Sequence, residues 1–247
     1  MAQFAHDSIL PDATSNLEKK DQVAGMFDNI SRRYDFLNRF LSLGIDQGWR
    51  KKALKLLIDK NPKYILDVAT GTADVAIMAS KILNPTKIVG IDISNGMLKI
   101  GREKIKKHQL QNIIELQEGD SASIQFKDNT FDAVTVAFGV RNFQHLEKGM
   151  DEIKRVLKPG GKLIVLEFSR PALPVVKQLY NFYMLTICPT FGRLFSKNKQ
   201  AYKYLDASIK KFPEGNSFLK ILKDLGYKNS LSKKLTLGIC SIYSAEK

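Results

Sequence analysis

A chain of 247 residues, 44% of them apolar and 26% charged, suits one α/β domain with extra helices and is long enough to bury a core of its own. Its 39 basic against 25 acidic residues leave a net charge of +14, which draws a protein to polyanions, either nucleic acid or the anionic face of a membrane, and says nothing about its fold. The two cysteines, Cys188 and Cys240, are far apart without a metal spacing and fit a reducing cytoplasm.

Residues 1–20 contain Asp7, Asp12 and Glu18 and no apolar run, so they read as a flexible lead-in and not as a signal peptide. No later stretch reaches the roughly 18 unbroken apolar residues of a membrane span. The nearest, Pro174 to Phe195, is broken by Lys177, Pro189 and Arg193. From Asp21 to Asp59 apolar residues recur at three- and four-residue steps (Met26, Phe27, Ile30, Tyr34, Leu37, Leu41), and Gly44 divides the stretch into two helices, the second over Asp46–Ile58. Strand and helix then alternate. Strands are predicted at Lys63–Ala69, Lys87–Asp92, Ile113–Gln117, Phe131–Phe138 and Lys162–Phe168, and helices at Asp74–Leu83, Gly96–His108 and His145–Leu157. Short, almost continuously apolar strands separated by helices indicate a parallel sheet covered on both faces. After Pro171 the rhythm changes to an aromatic stretch, Val175–Phe195. A helix over Asn216–Leu225 and two final strands, Tyr227–Asn229 and Leu235–Ala245, complete the chain.

Chemistry concentrates at the carboxyl ends of these strands. The turn Asp67–Asp74 (DVATGTAD) follows the first strand and opens a helix, so its backbone N–H groups face any ligand bound there, and Gly71 permits close approach. Asp92 ends the second strand, where an acid either accepts from both ribose hydroxyls of a nucleoside or caps the next helix. The turn has a single glycine and an acid, Asp74, at the helix start, which would repel a pyrophosphate; a cationic, phosphate-free nucleoside fits better. Gly119-Asp120-Ser121 follows the third strand and can accept from an adenine amino group. The three histidines (His6, His108, His145) offer no metal spacing, and no metal is expected.

Several segments carry a family resemblance: Met26–Asn38 (MFDNISRRYDFLN), Ser42–Asp46 (SLGID), Trp49-Arg50, Asp92–Leu98 (DISNGML), Gly101–Lys104 (GREK), Ala137–Asn142 (AFGVRN), Arg155–Gly161 (RVLKPGG), Leu166–Ser169 (LEFS) and Ala201–Ile209 (AYKYLDASI). Together they resemble the ubiquinone/menaquinone biosynthesis C-methyltransferases, from about residue 21 to the C-terminus. The turn departs from the family's at Ala73, where glycine is usual, and the fourth strand at Ala137, where serine is common.

The resemblance implies a Rossmann-like class I methyltransferase: a seven-stranded, mostly parallel sheet with helices on both faces. Residues 21–247 would form one domain, with N-terminal helices over 21–60 and a helical lid or substrate insertion over 172–215. It implies S-adenosylmethionine as cofactor, held by Asp67, Gly71, Thr72, Asp92, Asp120, Ser121 and Tyr34. It implies methylation of a ring carbon of a prenylated quinol, demethylmenaquinol in preference to the ubiquinone-pathway benzoquinol. Arg141 would stabilise the developing phenolate, or else make a structural ion pair; Asn142 would orient a hydroxyl, or else turn the chain. The aromatic stretch from Leu179 through Phe195 would line a prenyl channel. The expected location is the cytoplasm, with peripheral contact at the anionic inner face of the cytoplasmic membrane. Nucleic acid is not expected as a partner, and a homodimer is left open. The charge keeps an RNA methyltransferase as the rival reading, and Cys188 superficially suits a pyrimidine nucleophile.

Overall fold

The computed structural model describes residue 4 and residues 6–42, 44–183 and 199–247. Helices α1 (Lys19–Leu41) and α2 (Ile45–Lys55) precede an alternation of β1 (Tyr64–Val68), α3 (Asp74–Leu83), β2 (Lys87–Asp92), α4 (Asn95–Lys107), β3 (Ile114–Glu118), β4 (Phe131–Ala137), α5 (Leu146–Val156) and β5 (Leu157–Phe168). The chain continues through α6 (Pro174–Phe182), α7 (Lys199–Lys211), α8 (Asn216–Asp224), β6 (Lys228–Leu235) and β7 (Cys240–Glu246).

All seven strands form one sheet in the order β3-β2-β1-β4-β5-β7-β6, parallel except for β7, which runs antiparallel to both β5 and β6. The pleat sends alternate residues to opposite faces, and the core divides accordingly. Leu66, Val68, Val134, Val136, Leu163 and Val165 pack on one face with Met150 and Ile153 of α5 and Phe218 of α8. Ile65, Ala133, Ile164 and Leu166 pack on the other with Trp49, Leu54, Ala76 and Leu98. Burial on both faces explains the near-continuous apolar runs of β1, β2 and β4.

Two strand expectations are corrected. The stretch Leu235–Ala245 is not one strand. It is broken by a tight turn over Thr236–Gly238, where Thr236 (φ 44°), Leu237 (φ 55°) and Gly238 (φ 95°) all take left-handed conformations. The partner arm is β6, longer than Tyr227–Asn229. Its exposed serines and lysines carry no apolar signal because it is the sheet's edge, where charge discourages further pairing. Strand β5 starts early, at Leu157, which pairs with Phe131; Ala133 then pairs with Lys162, so Lys158–Gly161 loops out between two paired residues.

Within residues 1–20, His6 and Lys19 are packed into the body of the structure, while Leu17 and its neighbours are exposed. His6 is fully buried beside Phe4 and Phe212, and Lys19 Nζ donates to the carbonyls of His6 (2.7 Å) and Phe143 (3.3 Å). Most of the expected prenyl-lining stretch, and Cys188 with it, falls in 184–198, outside the described residues. Among the described residues no helix is long and apolar enough to cross a membrane.

Candidate active site

The turns after β1, β2, β3 and β4 gather at the carboxyl edge of the sheet, where strand order reverses at β1 and β4, and α1 lies across them. They enclose a cleft of about 690 Å³, counted to its open mouth, within the range of small-molecule sites. Val23, Phe27, Ile93, Met97 and Phe143 form apolar walls, and Asp92, Asp120, Ser121, Asn142, Tyr34 and Lys20 supply the polar groups.

Asp92 ends β2 half-buried. One carboxylate oxygen accepts from Gly71 N (2.8 Å) and the other from Ser94 N (2.9 Å). A carboxylate has about four lone-pair sites, so two remain for a ligand's hydroxyls. Burial pushes its pKa up to about 6, outweighing the backbone hydrogen bonds that favour the charged form. Gly71 takes φ +57°, and a Cβ there would meet Met97 Cε at 3.3 Å, so the glycine keeps the floor of the cleft low. Ser94 caps α4 by accepting from Met97 N, and Asp28 of α1 adds a carboxylate to the same helix start, accepting from Ser94 Oγ (2.6 Å) and Gly96 N (2.7 Å).

A smaller recess of about 340 Å³ adjoins the cleft and shares Tyr34, Ala69, Gly71 and Ala137 with it. Asp67, Thr72, Asp74 and Arg50 line it. Asp67 is buried, with each oxygen taken by a hydroxyl, Thr70 Oγ1 and Thr135 Oγ1, both at 2.6 Å; burial raises its pKa to about 6. Thr72 Oγ1 donates to Asp35 of α1 (2.6 Å). Lys104 of α4 bridges Asp35 (2.9 Å) and Asp74, while Arg50 pairs with Asp46 (2.6 Å) and Asp74 (3.4 Å). Asp28 and Asp35 thus join α1 to both ligand-facing turns.

Asp120 accepts from Ala122 N (2.9 Å), shaping its own turn, and pairs with Lys20 at 3.2 Å. After β4, Phe138 takes φ 58° and the chain enters a short 3-10 turn, Val140–Asn142. Asn142 lines the cleft, and its buried Oδ1 has no partner among the described residues. Arg141 lines neither cavity. Its guanidinium is buried against Glu167 of β5 (Nη1 to Oε1, 2.8 Å), donates to Phe138 O and lies over the Phe168 ring at 5.4 Å. Of the two sequence readings for Arg141, the ion pair is the one seen here. The structure therefore brings together Tyr34, Gly71, Asp92, Asp120, Ser121 and Asn142 around the cleft. It sets Asp67 and Thr72 around the adjoining recess, and Arg141 outside both linings.

The cleft's geometry agrees with the matches to known proteins. The model of the ubiE/COQ5 methyltransferase family covers residues 15–247. The chain belongs to that family. Among its relatives, the demethylmenaquinone methyltransferase of Bacteroides fragilis is 47% identical over 93% of this chain and 94% of its own. The ubiquinone/menaquinone biosynthesis C-methyltransferase UbiE of Geotalea daltonii is 44% identical over 93% and 98%. A crystal structure of an S-adenosylmethionine-dependent methyltransferase from Aquifex aeolicus shares the fold at 22% identity, covering 79% of this chain and 88% of its own with a TM-score of 0.58. The methyltransferase uses S-adenosylmethionine. Its seven-stranded, mostly parallel sheet has a Rossmann-like α/β architecture. The residues present fit this cofactor. Asp92 suits the ribose hydroxyls, the buried carboxylate of Asp67 beside the recess adds negative potential for a cationic group, and the apolar walls suit an adenine ring.

Proposed function

We propose that the methyltransferase transfers a methyl group to a ring carbon of a prenylated quinol, converting demethylmenaquinol to menaquinol. The observation that carries this reading is identity of 47% along nearly the whole chain to a demethylmenaquinone methyltransferase. Bound S-adenosylmethionine supplies a sulfonium methyl; the ring carbon takes it, the C–S electron pair stays on sulfur, and one proton is released overall.

The protein's part is orientation, charge and exclusion of water. Asp92 has two free lone-pair sites for the ribose hydroxyls. Asp120 and Ser121 sit where they can accept from the adenine amino group. Asp67 and Thr72 set the turn around Gly71, and Tyr34 closes the cofactor's side of the cleft from α1. Asn142 lines the cleft and keeps an unused Oδ1, which accepts from an acceptor hydroxyl. Arg141 acts from outside the lining: its charge reaches Tyr34 in the cleft wall and favours a phenolate in the cleft.

The same reading brings the enzyme to the cytoplasmic face of an anionic membrane by surface contact. Leu173, just ahead of α6, and Val175 and Phe182 on it are exposed, and the chain's net charge of +14 adds electrostatic attraction.

The test is methyl transfer from labelled S-adenosylmethionine to reduced demethylmenaquinone in detergent. Wild type should yield methylated quinol, with Asp92→Ala impaired in cofactor affinity and Arg141→Ala in turnover. If wild type binds the cofactor and methylates no prenylated quinol, the reading fails, and structured RNA is the next acceptor to assay.

A further inference from the structure

The segment Tyr202-Lys203-Tyr204-Leu205 in α7 has no part in the mechanism so far. Helix α7 packs on the Val140–Asn142 turn, and Tyr204 is 3% exposed. Its ring clusters with Val23 and Met26 of α1, beside Phe27 and Ile93, so it stands directly behind residues that wall the cleft. Arg141 and Glu167 both act on it electrostatically. Its hydroxyl is buried and has no hydrogen-bond partner among the described residues.

Two more buried polar atoms, on the turn that α7 packs against, share that condition: Arg141 Nε and Asn142 Oδ1. Buried polar groups are almost always paired, and each exception needs a cause. Three around a turn whose Asn142 lines the cleft point to a ligand that supplies the missing oxygen. The set is two donors, the tyrosine O–H and the guanidinium N–H, and one acceptor, the amide oxygen. A phenolic hydroxyl on the acceptor ring matches it, accepting with its oxygen and donating its proton to Asn142.

We propose that Tyr204 is an acceptor-binding residue, donating a hydrogen bond to a ring oxygen of the quinol. The inference rests on the quinol reading given above. Burial raises the phenol's pKa above its ordinary value, so at neutral pH Tyr204 is a donor and not a base. Hydrogen bonding from Tyr204 grows as the ring oxygen gains charge, so it favours methyl transfer more than acceptor binding.

The test is Tyr204→Phe in the full-length protein, compared with wild type for methyl transfer to reduced demethylmenaquinone, cofactor affinity and melting temperature. The substitution removes one unpartnered atom and keeps the ring, so folding is preserved. The expected result is a loss of about 10- to 100-fold in kcat/KM for the acceptor, the effect of one hydrogen bond to a charged oxygen. Affinity for S-adenosylmethionine should stay within about twofold, and the melting temperature without ligand should not fall, because a buried unpartnered hydroxyl has been deleted. An acceptor kcat/KM within twofold of wild type overturns the proposal. So does a lowered melting temperature with parallel loss of cofactor affinity, which would mark a packing role. If wild type itself methylates no prenylated quinol, the functional reading fails and this inference falls with it, a result visible in the wild-type reaction alone.

Discussion

Glu167→Gln tests how the turn after β4 is held. Glu167 is fully buried on β5, and its carboxylate accepts three N–H groups: Arg141 Nη1 at 2.8 Å, Arg141 backbone N at 3.3 Å and Phe168 N at 2.9 Å. Glutamine keeps the shape, replaces one acceptor oxygen with a donor facing other donors, and leaves the guanidinium charge uncompensated. Breaking a buried ion pair by removing one partner costs about 3–5 kcal/mol. Arg141 keeps its bond to Phe138 O and its place over the Phe168 ring, so the lower end is expected, about 3 kcal/mol. In a chain of 247 residues that lowers the melting temperature by roughly 6–12 °C. Replacing both partners with apolar residues, Arg141→Met with Glu167→Leu, removes the stranded charge, so the double variant should recover about 2–3 kcal/mol relative to the sum of the singles. Urea unfolding of wild type, Arg141→Met, Glu167→Leu and the double variant measures the cycle, with Glu167→Gln measured alongside. Cofactor affinity should stay within a few-fold throughout, because neither side chain lines the cleft, while the double variant loses methyl transfer. A loss below about 1 kcal/mol in Glu167→Gln, or additive losses in the double variant, refutes the claim that Glu167 holds Arg141 in place.

Three further outcomes are expected. In Gly139→Ala the new methyl would lie 2.5 Å from Ala69 Cβ, so the turns after β1 and β4 must separate; the cost is about 1–3 kcal/mol with weaker cofactor binding in calorimetry, and adding Ala69→Gly should relieve both. Asp67 and Asp92 have pKa values raised to about 6, so the ligand-free fold is favoured by their protonation at low pH and loses that contribution as pH rises through 6. A cationic cofactor prefers the carboxylates, so its affinity should fall by about tenfold per acid between pH 7 and pH 5, with protons released on binding near pH 6; calorimetry in buffers of different ionisation enthalpy reads both, and a flat profile refutes the assignment. Burial lowers the His6 pKa to about 3, helped by the Lys19 charge, so packing of residues 6–18 is favoured above pH 6.5 and weakens as pH falls toward 3. Pulsed hydrogen exchange should show their protection lost over that window in wild type and kept in His6→Phe.

The central strands are legible because they are buried on both faces and therefore apolar almost throughout. Asp92 was legible for a local reason, an acid ending an apolar run. What remained hidden depends on contacts between distant segments. Asp28 and Asp35 meet partners 37 to 69 residues away, and no local pattern announces that. Their seven-residue spacing, two helical turns on one face of α1, was the available sign. Arg141 admits two readings in the sequence, a group at the cleft or half of an ion pair, and its partner Glu167 is conspicuous in the apolar run Leu163–Phe168, since a charge inside a buried strand needs a partner. The final hairpin escaped because its outer arm has nothing to bury.

The strain at the cleft shows what fixes the site's shape. Ala69 (φ 54°), Ala73 (φ 64°) and Phe138 (φ 58°) hold left-handed conformations that cost a non-glycine residue roughly 1–2 kcal/mol each. The sheet holds these turns. Thr70 N donates to Ile91 O at 3.0 Å and Phe138 N to Leu166 O at 2.7 Å, so each turn is tied to a neighbouring strand next to its strained residue. Small residues then complete the fit in pairs. Gly139 lies against Ala69, and Gly101 of α4 lies against Ala73, where a second methyl would come to 3.4 Å of Ala73 Cβ and 2.7 Å of Leu116 Cδ1. Glycine in place of Ala73 would relax the backbone, but it would also loosen the packing of α4 against the turn that carries Gly71. Alanine at 73 therefore exchanges backbone strain for a fixed distance between α4 and the turn that Asp92 holds.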